Sequence, residues 1–325
     1  MSRGAPVLAA LALALTGCAA SPPLADGLPA SAPRVIELSS TPFFPQDEYQ
    51  CGPAALATLL VASGAKVTPE SLVPEVYVPE RRGSLSLELI AATRRHGRLP
   101  YVLASTADEM VEELKAGRPV LVLQNLGAAR LPAWHYAVLI GYDADRNVAL
   151  LRSGGERRLE MKWQRFAGAW HRGGRFAMTT LHPAEIPAHA EPARFIEAAA
   201  GLEAAGQRRT AAEAYDAAIA RWPEDPRAWL GRGNVALGDG DRAAAADAYQ
   251  RAIMLDPDDA AARNNLAELL LEAGCLDESR AQIERAAALA EGSALAPAVA
   301  DSRAKIAAGA ARAGRCQLEG RAWPD

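Results

Sequence analysis

The chain has 325 residues, 50 % of them hydrophobic and 23 % charged, which excludes wholesale disorder and suits about two domains. Its 35 basic and 39 acidic residues leave a net charge of −4, so nothing in the balance favours nucleic acid or an anionic membrane as partner. Four cysteines are too few for a disulfide-dense scaffold, and a 6 % aromatic content with abundant alanine suits closely packed helices better than a β-sandwich.

Residues 1–17 read as a secretory signal peptide. Arg3 supplies a short positive region, Pro6 to Leu15 an apolar run too short to span a bilayer, and small residues follow. The run ends in Leu15-Thr16-Gly17-Cys18, which resembles the lipobox of bacterial lipoproteins. That resemblance implies cleavage before Cys18 and acylation of its thiol. Alanine at position 19 then implies the outer membrane of the cell envelope, with the protein facing the periplasm. Residues 18–40, rich in Ala, Pro and Ser, read as a flexible tether.

Residues 41–183 read as one domain of mixed α and β character. The apolar pattern predicts helices over 51–63, 84–96 and 107–116, the first stopped by Gly64. It predicts strands over 119–125, 134–142, 147–152 and 175–181. Cys51 opens the first helix, and His135 sits in the second of these strands among apolar neighbours. A thiol at a helix N-terminus gains from the dipole, which predicts a lowered pKa. An imidazole within reach would deprotonate it and later protonate a leaving amine. The other histidines, His96, His171, His182 and His189, fall at exposed helix ends or in the proline-rich stretch 184–192, which reads as a linker. No histidine–cysteine spacing suggests a metal site, and no cofactor is expected.

The segment QDEYQCGPAALATLL, Gln46 to Leu60, and the strand WHYAVLIGY, Trp134 to Tyr142, together resemble the bacteriocin-processing C39 peptidases, a papain-like family. The resemblance implies an α+β papain-like fold with Cys51 as nucleophile and His135 as its base. It implies Gln46, with the Cys51 backbone N–H, as oxyanion donor. Gln46 lies five residues before Cys51 where the family spacing is six, and Gln50 is a rival. Where the family places an aspartate after the histidine strand, this chain has Ser153, which can orient the ring but brings no charge. Asp143 lies too near the exit of the histidine strand to take that place.

The C-terminal third repeats at an offset of 34, pairing Phe195 with Trp229, Tyr215 with Tyr249 and Pro223 with Pro257, and aligning Ala218, Ala252 and Ala286. With Gly233 and Ala245 in place, residues 193–294 resemble three tetratricopeptide repeats, an all-α solenoid whose third unit carries Arg263, Ser279 and Glu291 at its landmarks. Residues 295–325 read as a cap helix and tail. Such arrays bind protein segments in a concave groove or serve as packing spacers, and the sequence names no groove contact. Cys275 lies in the turn of the third repeat and Cys316 after the cap helix, so both are expected at one end of the array. In an oxidising compartment they would be able to pair.

Taken together, the sequence predicts an envelope cysteine peptidase anchored to the membrane by an N-terminal lipid. Its substrate would be a peptide or protein, and its repeats would dock that substrate or a protein partner. A non-catalytic scaffold built on the same fold is the rival reading, fed by the uncharged Ser153. A third keeps the Cys–His chemistry for acyl transfer or amide hydrolysis on a non-protein substrate.

Overall fold

The computed structural model describes residues 27–28, 32–46, 50–128, 130–309, 316 and 318. The signal segment and Cys18 lie outside the described residues. The first domain runs β1 (Val35–Glu37), α1 (Cys51–Ala62), α2 (Pro69–Val76), β2 (Tyr77–Val78), β3 (Gly83–Ser84), α3 (Ser86–Arg95), β4 (Leu99–Val102), α4 (Ala107–Lys115), β5 (Val120–Asn125), β6 (Trp134–Asp143), β7 (Val148–Ser153), β8 (Glu156–Lys162), α5 (Trp163–Arg172) and β9 (Ala177–Leu181). Seven strands form one antiparallel sheet in the order β4-β9-β5-β6-β7-β8, with β1 added on β6. β2 and β3 make a separate small hairpin.

Strand alternation divides the core into two layers. On one face Leu56, Leu59 and Leu60 of α1 meet Leu121, Val138, Ile140, Leu150 and Met178. On the other, Met110 of α4 and Phe166 and Trp170 of α5 meet Val122, Ala137, Leu139 and Leu151. Cover on both faces explains why β6 and β7 read as nearly continuous apolar runs. The stretch 35–40, expected as tether, is a correction: β1 pairs Val35 with Asp143, Ile36 with Tyr142 and Glu37 with Gly141, so the domain already begins there.

The second part continues as α6 (Pro192–Ala204), α7 (Arg208–Arg221), α8 (Pro226–Gly238), α9 (Arg242–Leu255), α10 (Ala260–Glu272), α11 (Leu276–Ala290) and α12 (Ala296–Gly309). α6 to α11 form three helix pairs, and α12 packs on the last. Asp225, Asp241 and Asp259 cap the starts of α8, α9 and α10 through their side chains. Ala218, Ala252 and Ala286 are fully buried where helices cross. A Cβ on Gly233 would lie 2.5 Å from the Tyr249 ring, so the ring fills a space only glycine leaves open. The third repeat keeps its geometry with different chemistry. Trp229 Nε1 donates to the Pro223 carbonyl at 2.9 Å, and 34 residues later Arg263 Nε donates to the Pro257 carbonyl at 2.9 Å. A disulfide joins Cys275 and Cys316, with a Cα–Cα distance of 4.5 Å.

The two parts share one apolar cluster, which runs from Leu99 and Leu181 in the sheet to Phe195 and Leu202 in α6. An ion pair flanks it. Arg194 grips the buried carboxylate of Glu109 through two nitrogens, at 2.9 and 2.7 Å, and the Ala104 N–H donates to the same group at 2.6 Å. Nearby, the Ala188 N–H donates to Glu113 at 2.7 Å and the Glu191 N–H to the Tyr101 hydroxyl at 3.2 Å. The stretch 184–192 is thus fastened along its length.

Candidate active site

Cys51 is the first residue of α1, and Gln50 holds the cap position without a side-chain cap bond. The helix start leaves the first N–H groups without partners inside the helix, and Pro53 has no N–H to satisfy. Residues Gly52 to Leu60 are all buried, so α1 is fixed from every side and the thiol is held at its outer end. A Cβ on Gly52 would lie 2.2 Å from Ser84 Oγ, so the β2–β3 hairpin rests directly on the helical turn that carries Cys51. That Ser84 hydroxyl is buried and makes no hydrogen bond among the described residues.

His135 is the second residue of β6, cross-strand from Gln124. Its Nε2 lies 2.8 Å from Ser153 Oγ, at the end of β7. With Ser153 accepting the Nε2–H, the lone pair rests on Nδ1, the tautomer a base toward the thiol requires. Gln46 reaches the same region by its backbone, whose N–H donates to the Gly154 carbonyl at 3.3 Å, one residue beyond Ser153. Gln46, His135 and Ser153 therefore converge on the end of β7.

Cys51 joins them through Tyr136. The backbone of Tyr136, with that of Gly52 and of Cys51 itself, favours the ionised form of the thiol. Among the described residues no hydrogen bond links the thiol to the imidazole. The Tyr136 ring is buried, and its hydroxyl lies 2.9 Å from Ser86 Oγ. Burial raises the pKa of Tyr136 to about 12.

The electrostatics correct one expectation from the sequence. Burial pushes the Cys51 thiol above its ordinary value, outweighing the backbone amides that pull it down. Burial also lowers the His135 imidazole. Both shifts favour a neutral thiol and a neutral ring over a standing thiolate–imidazolium pair. Proton transfer would then accompany attack on a substrate.

The sequence reading missed Arg152, Gly154, Ser84 and Tyr136. Tyr136 sits in the quoted histidine strand, and a large polar-tipped residue beside a base was a usable signal. The others carry no one-dimensional mark. Asp143 pairs with Arg146, away from the ring. His96 bonds Glu75, and His171 accepts from Arg175. Among the described residues no three His, Cys, Asp or Glu side chains cluster as metal ligands would.

Residues 38–178 match the family described as Peptidase_C39 like, and residues 197–253 and 232–294 match the tetratricopeptide repeat. Among solved structures the chain is similar to a protein described as a C39-like peptidase from Bacillus anthracis, at 19 % identity and a TM-score of 0.40, covering 46 % of this chain and 98 % of that one. It is similar to the type III secretion translocator chaperone SycD of Yersinia enterocolitica, at 21 % identity and a TM-score of 0.34, covering 36 % of this chain and 83 % of that one. It is also similar to the TPR2B domain of yeast Sti1, at 19 % identity and a TM-score of 0.33, covering 34 % and 90 %. No curated protein matches the chain. The molecule thus joins an α+β domain that resembles the C39-like peptidases to a series of helices that match tetratricopeptide repeats.

Proposed function

We propose that this chain is a cysteine peptidase of the cell envelope, anchored by a lipid on Cys18, with repeats that dock its substrate or a protein partner. Cys51 attacks the peptide carbonyl as its proton passes to His135 Nδ1. The tetrahedral oxygen is met by the Gln46 side chain and the Cys51 N–H. His135 then gives the proton to the leaving amine, and water releases the acyl group. Ser153 orients the ring without charging it. The observation that carries this reading is the 2.8 Å bond from His135 to Ser153, in a domain whose thiol heads the adjacent helix.

Exposed apolar side chains flank the site. Leu85 and Leu87 border Ser86 on one side, and Leu126, Leu131 and Trp134 precede His135 on the other. They favour a peptide with apolar side chains near the scissile bond.

A non-catalytic scaffold is favoured by one observation, the raised thiol and lowered imidazole beside an uncharged Ser153. Exposing the purified protein to a complex peptide library, with cleavages mapped by mass spectrometry, separates the two. The peptidase reading expects cuts that vanish in Cys51→Ala. Identical products from both proteins would leave the scaffold.

A further inference from the structure

Arg152 immediately precedes the serine that holds His135, and its guanidinium is buried. Its Nε and Nη2 donate to the Thr41 carbonyl at 3.2 and 2.9 Å, and Nη2 donates to the Ser39 carbonyl at 3.0 Å. Its Nη1 donates to the Arg157 carbonyl. Every one of these acceptors is a backbone oxygen. Burying a guanidinium without a carboxylate against it is costly, and an apolar residue would fill the same volume at less expense. Burial and the neighbouring cations Arg157 and Arg158 also disfavour its charge, relieved only by Glu37.

What the fork accomplishes is seen in the segment it holds. Residues 38–46 form no helix or strand. The segment starts where the Leu38 N–H bonds the Ile140 carbonyl, and it ends where the Gln46 N–H bonds the Gly154 carbonyl. Arg152 grips it between those points, at residues 39 and 41. Three successive residues therefore act on two partners: Ser153 on His135, and Arg152 with Gly154 on the segment that carries Gln46.

We infer that Arg152 is a positioning residue, which fixes the Gln46 segment so that its amide meets the oxygen of the tetrahedral intermediate. This rests on the reading of Cys51 as an acyl-accepting nucleophile.

The test compares two reagents on one thiol. Iodoacetamide alkylates sulfur by displacement of iodide and needs no oxyanion donor. A short peptide aldehyde adds reversibly: the sulfur–carbon bond forms, the carbonyl π pair moves to oxygen, and that oxygen takes the thiol proton. Its adduct therefore reads the oxyanion donors. Arg152→Lys keeps the charge and loses the fork. The expected result is an alkylation rate within about twofold of wild type and aldehyde protection weakened about tenfold or more, as for loss of an oxyanion donor. Gln46→Ala should do the same, and the double variant should be no weaker than Gln46→Ala alone. Hydrogen exchange in Arg152→Lys should rise in 38–46 while α1 and β6 keep their protection. The inference is overturned if aldehyde protection is unchanged, if it falls in step with alkylation, or if the two substitutions multiply. Absence of aldehyde protection in the wild-type protein would overturn the nucleophile reading itself, and the inference with it.

Discussion

Ser153 Oγ stands 2.8 Å from His135 Nε2, so a neutral hydroxyl occupies the place from which an acid would charge the ring. Orientation and charge are separable contributions of such a partner, and this site retains only the first. With both the thiol and the imidazole half-buried, desolvation favours the neutral forms. Alkylation of Cys51 should therefore rise with pH and reach its midpoint above the value of about 8.5 for a free thiol. Ser153→Asp should raise the imidazole pKa, favour the ion pair and move that midpoint down. Rates measured by mass spectrometry across pH check both. A wild-type midpoint below neutrality would contradict the neutral pair.

Gly52→Ala should disturb the hairpin seated on α1. The added methyl would meet the Ser84 side chain at 2.2 Å, and a collision of this kind costs about 1–3 kcal/mol. Ser84→Gly should recover much of that loss in the double variant, whereas Ser84→Ala should not, because Ser84 Cβ is itself 2.5 Å from the built atom. Denaturant midpoints of the four proteins decide whether the two residues are coupled.

The junction between the two parts should weaken in acid. Burial pushes the Glu109 carboxyl up, but Arg194, the Ala104 N–H and His189 outweigh it and hold it below the ordinary carboxylate value. A depressed carboxyl contributes stability above its unfolded pKa, and that contribution is lost as pH falls through the folded value. Arg194→Met leaves the carboxylate buried and unpaired, and should cost roughly 3 kcal/mol at neutral pH. Glu109→Gln in the same background should restore part of it. Thermal unfolding from pH 7 downward measures the effect, and a variant no less stable than wild type would contradict the role given to the pair.

Loss of the Cys275–Cys316 bond should loosen the end of the array. The bond closes a separation of 41 residues, for which chain entropy gives about 3–4 kcal/mol. Cys316→Ser should lower protection of α11 and α12 from hydrogen exchange while leaving α6 and α7 nearly unchanged, because repeat arrays couple mainly between neighbours. Uniform loss of protection across the array would contradict that locality.

The elements read from the sequence are those with strong periodicity. The 34-residue register placed Tyr215, Tyr249 and the alanines correctly because helix crossings impose a strict requirement on side-chain size. β8 was missed because Leu159 and Met161 alternate with charged residues on a strand that is largely exposed. The turn from Trp163 to Trp170 carried apolar residues at helical spacing, and α5 was there to be found. β4 contains Pro100, which reads as a break, although the strand next to it on the sheet is β9 alone. Cys51, His135 and Ser153 stood out through residue type and order. The state of the thiol did not, because the dipole of α1 is visible in the sequence and the burial that outweighs it is a property of packing. Arg152 carried no mark in the sequence, since the Ser39 and Thr41 carbonyls it grips lie more than a hundred positions away.

The clasp of Arg194 on Glu109, with Phe195 in the shared apolar cluster, has a consequence for selection. The first helix pair is fastened to the sheet by that ion pair and by the shared apolar cluster. Under the proposed function, a segment gripped by the repeats must bridge a fixed gap before its backbone arrives at Cys51. Chain length between the gripped stretch and the cut would then count as a recognition criterion alongside side-chain chemistry, with the molecule acting as a ruler.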